Sequence, residues 1–162
     1  FQEKLEDLAV RLSFSDTQDA FYGNFETLTA NRNEAAELLR LAINSPTFEK
    51  DAAERIRAQI LASLVYAAKD PDRVASNEWY ALAFGGHAYG RPTSGTDASV
   101  KAISTEDLAD YHKRVFARSN LRVVAVGDIS AAELSALLDK VFGALPEKPD
   151  LVPVSKIEPA TG

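Results

Sequence analysis

Two histidines and a set of scattered carboxylates are the residues of this chain that could do acid–base or metal chemistry. His87 and His112 lie far apart and belong to neither an H-E-x-x-H nor an H-x-x-E-H helix, in which two imidazoles one turn apart reach one zinc ion. The carboxylates fall mostly at helix starts or beside Lys and Arg, where solvated acids are common. The sequence contains no serine nucleophile elbow and no glycine-rich phosphate loop. The residue types alone therefore predict no catalytic residue, metal ligand or cofactor in this chain.

The composition narrows the class of protein. The 162 residues are 46% hydrophobic and 26% charged, which is the range of a globular domain with a real core. The net charge is −6 and Lys and Arg form no cluster, which excludes a nucleic-acid partner. Cysteine is absent, which excludes disulfides and thiolate chemistry. No apolar run approaches the roughly 20 residues that a membrane-spanning helix needs.

Alternating apolar residues predict three strands. Val10, Leu12 and Phe14 alternate with polar residues, and a similar run over 21–27 follows a turn-like stretch, so an antiparallel hairpin is expected. A third strand is predicted over 121–126, ending at Gly127. Because a three-stranded sheet leaves unpaired edges, we expect a strand from elsewhere to complete it and the chain to self-associate.

Helical periodicity and capping residues predict the remaining elements. Asn31 with Glu34, Asp70 with Pro71, and the Ser104/Asp107 and Ser130/Glu133 pairs have the spacing of helix starts. With an initial helix over 1–8 and a long one over about 48–69, these signals predict an α+β domain. Its mostly antiparallel sheet would have helices packed on one face.

The long helix carries a stripe that we expect to face the protein interior. Its apolar or small residues recur at steps of three and four. The stripe consists of Ala53, Ile56, Ile60, Ser63, Leu64 and Ala67.

The most distinctive short sequence in the chain is the glycine- and proline-rich stretch over 86–96. Loops of this composition usually hold a fixed turn, so we interpret it as a structural loop in which Tyr89 and Arg91 anchor the chain or touch a ligand. Its key residues are His87, Tyr89, Gly90, Arg91, Pro92 and Gly95.

Three stretches in a fixed order resemble the insulinase/pitrilysin family of zinc peptidases. The P-T-F…E-R-I-R-A-Q-I-L text over 46–61 resembles that family's long helix, and H-A-Y-G-R-P over 87–92 with G-T resembles its H-P-Y-G-R-P…G-T loop. The stretch from 108 to 129, with its N-L and V-G-D-I, resembles the text that follows in the family. The likeness covers about residues 5–146.

The resemblance implies how a whole member of the family is built. Homologous α+β halves form a clamshell around a peptide, and the active half holds zinc with H-x-x-E-H and a later glutamate. The position of that third ligand corresponds to Ser63, a poor zinc ligand, which we interpret as a buried serine bonded to a carbonyl one turn back. The segment that would carry H-x-x-E-H is expected to precede Phe1.

The resemblance favours a non-catalytic half or subunit. Such a half supplies chamber wall and peptide-binding surface to an active partner half, which would hold the zinc. Residues 1–146 would be the domain, and the proline-rich residues 147–162 a linker toward a following homologous domain. The likeness to bacterial paired subunits suggests the periplasm or envelope of a Gram-negative bacterium, with the cytoplasm as the alternative.

Two other functions stay open at this point. One is a divergent active metallopeptidase with H-x-x-E-H upstream, in which Glu54 or Glu26 would have to replace the missing ligand. The other is a structural assembly domain, as in family members recruited to respiratory complexes. The residues of this chain do not decide the substrate or the oligomeric state.

Overall fold

A computed structural model of the chain describes residues 1–157 and divides it into two compact units. Unit 1 comprises Phe1–Thr47 and His112–Asp150, and unit 2 comprises Phe48–Tyr111 with the segment from Leu151 onward. The strands are β1 (Arg11–Asp16) and β2 (Phe21–Glu26). The α-helices are α1 (Gln2–Asp7), α2 (Arg32–Asn44), α3 (Lys50–Ala67), α4 (Pro71–Phe84), α5 (Asp97–Ala102), α6 (Thr105–Val115) and α7 (Ala131–Phe142).

The predicted hairpin is confirmed in unit 1. β1 and β2 pair antiparallel, with Arg11 opposite Glu26 and Asp16 opposite Phe21. The turn closes through Thr17, whose amide donates to the Ala20 carbonyl at 2.8 Å. Leu12 and Phe25 of the hairpin pack against a buried cluster from α1, α2 and the residue that precedes β1, which consists of Leu5, Val10, Ala35 and Leu38. The hairpin is thus attached to the helices by apolar contact.

Helix α2 is held against α7 by packing in the middle and hydrogen bonds at both ends. Ala35 and Ala36 on α2 are fully buried, and so is Val141 on α7. The Arg32 guanidinium donates to the Asp128 carbonyl and to the Glu133 carboxylate, both at 2.9 Å. At the other end, the Asn44 side-chain amide donates to the carbonyl of Val141 at 2.7 Å. Small residues let helices approach closely, and the polar ends then fix their rotation.

The prediction of a third strand is wrong for the described residues. Residues 121–126 are not assigned to a strand, and the described sheet has two strands, in the order β1–β2. The physical reason is the lack of a partner, because a strand requires a neighbouring backbone to receive its hydrogen bonds. Val124 and Val126 are 90% and 96% exposed.

The predicted inner face of the long helix is also wrong in part. Helix α3 forms as expected, but Ile56, Ile60 and Ser63 are exposed. The half-buried stripe runs instead through Ala52, Ala53, Arg57, Leu61, Leu64 and Ala67.

Arg57 explains which face of α3 is covered. Its guanidinium donates to the Val100 carbonyl and, at 2.6 Å, to the Ile103 carbonyl at the end of α5. It also pairs with Glu54 at 3.2 Å. A helix end has free carbonyls that a cation satisfies well, and the long arginine stem covers apolar surface on the way. These bonds turn the Arg57 face of α3 toward α5 and leave Ser63 in solvent.

Three of the four predicted helix starts are confirmed in detail. Asp70 accepts from the amides of Asp72 and Arg73, with Pro71 at the first helical position. Ser130 and Glu133 form a reciprocal capping box, and Ser104 and Asp107 exchange the equivalent bonds.

The fourth start is placed correctly but made differently. Asn31 precedes α2, yet its side chain donates to the Leu8 carbonyl at 2.9 Å and so ties α1 to α2. Helix α5 is an addition to the predicted elements; its N-cap is Thr96, which shares a capping box with Ser99. Both differences from the prediction involve Asn, Ser or Thr side chains, which are as common in loops as at helix starts.

Removing the Ser130 cap should destabilise the chain measurably. We expect S130A to lower the free energy of unfolding by about 1 kcal/mol, because the Glu133 amide loses its acceptor. The matched control is S63A, at an exposed position, which should change stability by less than about 0.5 kcal/mol. Urea unfolding followed by circular dichroism measures both. A larger loss for S63A than for S130A would contradict the assigned exposure.

The same cap should make stability depend on acidity. Hydrogen bonds from Ser130 and then the charge of Arg32 lower the pKa of Glu133 from its ordinary value. A carboxyl with a lowered folded-state pKa contributes stability that is present above the unfolded pKa and is lost as the pH falls through the folded one. We expect E133Q to flatten the loss of stability in the acid range while lowering stability at neutral pH. Urea midpoints across the acid range check this, and an unchanged acid slope would contradict it.

Candidate functional site

The loop over 85–96 lies in unit 2 and is organised by His87. This residue caps a short 3-10 turn over 88–90, and its Nδ1 accepts from the Tyr89 amide at 3.1 Å. With Nδ1 accepting, Nε2 carries the proton and donates to the Ser155 carbonyl at 2.9 Å. Both ring nitrogens are therefore engaged in neutral imidazole, and neither offers a free lone pair to a metal.

Tyr89 attaches the loop to the end of α4. Its ring meets Phe84 edge-on at 5.7 Å and His87 at 5.0 Å between centroids. Phe84 in turn stacks on Tyr80 at 5.6 Å and meets Trp79 at 6.0 Å. Aromatic pairs in these geometries stabilise a fold beyond their buried area.

Two glycines of the loop occupy positions where a side chain would clash or be strained. A Cβ on Gly90 would lie 2.6 Å from the Gly85 carbonyl oxygen, closer than real Cβ contacts allow. Gly95 has φ of +73° and its amide closes a turn onto the Pro92 carbonyl at 2.9 Å. The Arg91 amide bonds back to Ala88 at 3.1 Å. The geometry of the loop is that of a fixed turn, with Arg91 itself exposed.

His112, in unit 1, is also engaged by the protein. Its Nε2 lies 2.7 Å from the Ile43 carbonyl, and its ring lies 4.9 Å from that of Phe116. His112 thus links α6 to the end of α2. The two histidines thus have separate local partners, as their sequence spacing predicts.

Ser63 lies on the exposed face of α3, and the predicted bond of its hydroxyl to a carbonyl one turn back is absent. Among residues 1–157, none of the hydrogen bonds involves the Ser63 side chain, and no group of three or more His, Cys, Asp or Glu side chains could hold a metal ion. The donors in the described part of the chain therefore do not fit a zinc ion, which needs about three converging protein ligands.

The carboxyls with altered pKa values serve helix caps and ion pairs. A hydrogen bond from Arg40 lowers the pKa of Glu37, and hydrogen bonds from Ser104 lower the pKa of Asp107. The pKa of Glu106 is lowered by its own amide and by Thr105. A general acid at neutral pH needs a raised pKa instead. These acids are held ionised, which suits a structural role.

An open groove of about 410 Å³ lies in unit 1 beside the start of the hairpin. The exposed Arg11–Glu26 ion pair, with 3.5 Å between charged atoms, borders it, and Leu5, Val10 and Leu28 form its apolar wall. It contains no histidine. None of the described helices is long and apolar enough to cross a membrane.

Comparison with known proteins identifies the class. The sequence profile described as the peptidase M16 inactive domain matches residues 102–162. A solved peptidase M16 inactive domain from Pseudomonas fluorescens superposes with a TM-score of 0.89 at 27% identity, over 96% of this chain and 38% of that one.

Curated relatives agree with this class. The non-peptidase homolog YmxG of Helicobacter pylori is 26% identical over 91% of this chain and 34% of that protein. A probable mitochondrial-processing peptidase subunit beta of Arabidopsis thaliana is 28% identical over 91% of this chain and 28% of that protein. The chain thus spans about a third of the length of these relatives.

The fold and the comparisons define a metallopeptidase-related α+β domain with a small antiparallel sheet. The chain belongs to the peptidase M16 family, that of insulinase and pitrilysin, and its fold is that of the family's inactive domain. The family resemblance drawn from the sequence is therefore confirmed.

Adding a methyl group at Gly90 tests whether the turn is fixed. G90A should lower the free energy of unfolding by about 1–3 kcal/mol, because its methyl group collides with the Gly85 carbonyl. G86A is the matched control: its Cβ would meet nothing within 4 Å, and we expect a change below about 0.5 kcal/mol. Thermal and urea unfolding measure both variants. Equal stabilities for G90A and the original chain would show that the turn is not fixed as described.

Proposed function

We propose that this chain belongs to a non-catalytic half of a peptidase M16 protein, which supplies chamber wall and peptide-binding surface to an active partner half. The observation that carries the proposal is the likeness to the solved M16 inactive domain over 96% of the chain. The zinc would sit in the active partner, and the peptide would be cleaved there.

The chemistry of the described residues favours a structural role over a catalytic one. His87 and His112 each bond to a protein carbonyl, and a hydroxyl stands at Ser63, where the family resemblance implies a glutamate ligand. The carboxyls with lowered pKa values stay ionised in caps and pairs. Such groups hold a scaffold in place and are poorly suited to activate water.

The names of the relatives point the same way. One is called a non-peptidase homolog, and another is called a subunit of a processing peptidase, which implies an assembly of more than one chain. We carry over from these names the pairing of an inactive part with an active part. A periplasmic or envelope location remains a prediction.

The segment that follows residue 146 has a proposed role as well. The Pro146 and Glu147 carbonyls accept from the amides of Arg118 and Ser119, each at 2.9 Å. The Asp150 amide donates to the backbone carbonyl of Arg114. These bonds give the predicted linker of 147–162 a fixed departure point. Residues 158–162 of that linker lie outside the described residues. We propose that it leads to a following homologous domain.

A mixing experiment tests the proposal. The purified chain should not cleave peptides alone, but it should raise the cleavage rate of an active zinc-containing M16 subunit from the same source by at least about tenfold, or about 1.4 kcal/mol of transition-state stabilisation. An unrelated acidic protein of similar size serves as the control. Chelator-sensitive cleavage by the chain alone would instead support the divergent active enzyme. Stoichiometric binding without any change in rate would support an assembly domain.

A further inference from the structure

Residues 151–157, here called the strap, are joined to the loop over 85–96 of unit 2 by the side chain of His87. The Nε2–H of His87 donates to the Ser155 backbone carbonyl at 2.9 Å. Within the described part of the chain, the strap makes no other hydrogen bond, and all of its residues are exposed and lie outside any helix or strand. One side chain therefore provides the polar attachment of the whole strap.

The His87 side of this contact is firmly held. The His87 amide donates to the Phe84 carbonyl at 3.0 Å, and the His87 carbonyl accepts from the Gly90 amide at 3.0 Å. The ring is fixed as well, because Nδ1 accepts from the Tyr89 amide and the Tyr89 ring meets the imidazole edge-on. Since Nδ1 accepts, a neutral imidazole carries its proton on Nε2, the nitrogen that meets Ser155. The turn thus prepares the donor that binds the strap.

The strap side of the contact is weakly held. The side chains of Leu151, Val152 and Val154 are 52%, 71% and 63% exposed, so they bury little apolar surface. A region with few buried contacts opens locally at a small cost in free energy. A single hydrogen bond between neutral groups shifts such an opening equilibrium by about threefold to tenfold. The bond to His87 therefore has a large share in keeping the strap in place.

We propose that His87 is a latch, which holds the strap on the loop over 85–96 and whose opening releases the strap while the loop keeps its turn. The two ring nitrogens have separate roles, because Nδ1 belongs to the turn and Nε2 to the strap. In the proposed arrangement, in which residues 147–162 lead to a following domain, the latch fixes where that domain is attached. This consequence rests on the proposed function. The latch itself does not, and its test measures no activity of an M16 protein.

Two substitutions of His87 separate its two hydrogen bonds. In H87N, the amide oxygen takes the place of Nδ1 and can still accept from the Tyr89 amide, as asparagine does at many helix and turn starts, but the donor to Ser155 is lost. In H87Q, the amide nitrogen takes the place of Nε2 and can still donate to the Ser155 carbonyl, but the acceptor of the turn is lost. The latch predicts that H87N releases the strap and that H87Q retains it.

Limited digestion of the 162-residue chain with trypsin, followed by mass spectrometry, tests the proposal. The strap contains one tryptic site, after Lys156, and the rate of cleavage there follows the population of the open strap when opening is fast relative to cleavage. H87N should raise this rate by about threefold to tenfold, and H87Q should change it by less than about twofold. S155A is the matched control and should leave the rate unchanged, because the backbone carbonyl that accepts the bond is retained.

Cleavage after Lys69, in the turn between α3 and α4, reports whether unit 2 stays folded and should proceed at the original rate in each variant. The latch would be overturned if H87N were cleaved after Lys156 at the original rate, or if H87Q were cleaved there as fast as H87N. Equal increases after Lys69 and Lys156 in H87N would show that His87 holds the whole unit rather than the strap. An increase in S155A as large as that in H87N would place the attachment in the serine side chain, which also contradicts the latch.

Discussion

The packing of α2 between the hairpin and α7 is the interaction on which the rest of unit 1 depends. The same alanine, Ala35, is fully buried and shares a cluster with Leu5, Val10 and Leu38, while Asn44 and Arg32 hold the ends of α2 to α7 and the loop before it. A small residue at the centre lets two elements approach one helix closely. The hairpin, α1 and α7 therefore owe their places to one helix, α2.

The elements that the sequence predicts well are those whose partners are near in the chain. Ser130 and Glu133 are three residues apart, so their capping box could be read directly. The covered face of α3 could not be predicted in this way. The carbonyl that binds Arg57 lies 43 residues away, and this contact leaves no sign in the spacing of apolar residues. Residues 121–126 have strand composition, but a strand also needs a partner, which composition does not supply.

The candidate site follows the same division. The glycines of 85–95 indicate a fixed turn, and the φ of +73° at Gly95 and the crowding at Gly90 are what such residues permit. The engagement of His87 by Ser155, 68 residues away, was not readable, although it decides that both ring nitrogens are occupied. Membership of the M16 family was predictable because it rests on several ordered motifs.

Metal content is the measurement that tests most directly the claim that the residues of this chain form no zinc site of their own. The purified chain, incubated with a slight excess of zinc and dialysed, should hold far less than one zinc per molecule by mass spectrometry of the metal, since the donors of the described residues do not converge. S63E should not change this, because one carboxylate adds a single ligand. One tightly held zinc per chain, lost on substitution of His87 or Glu54, would contradict this claim.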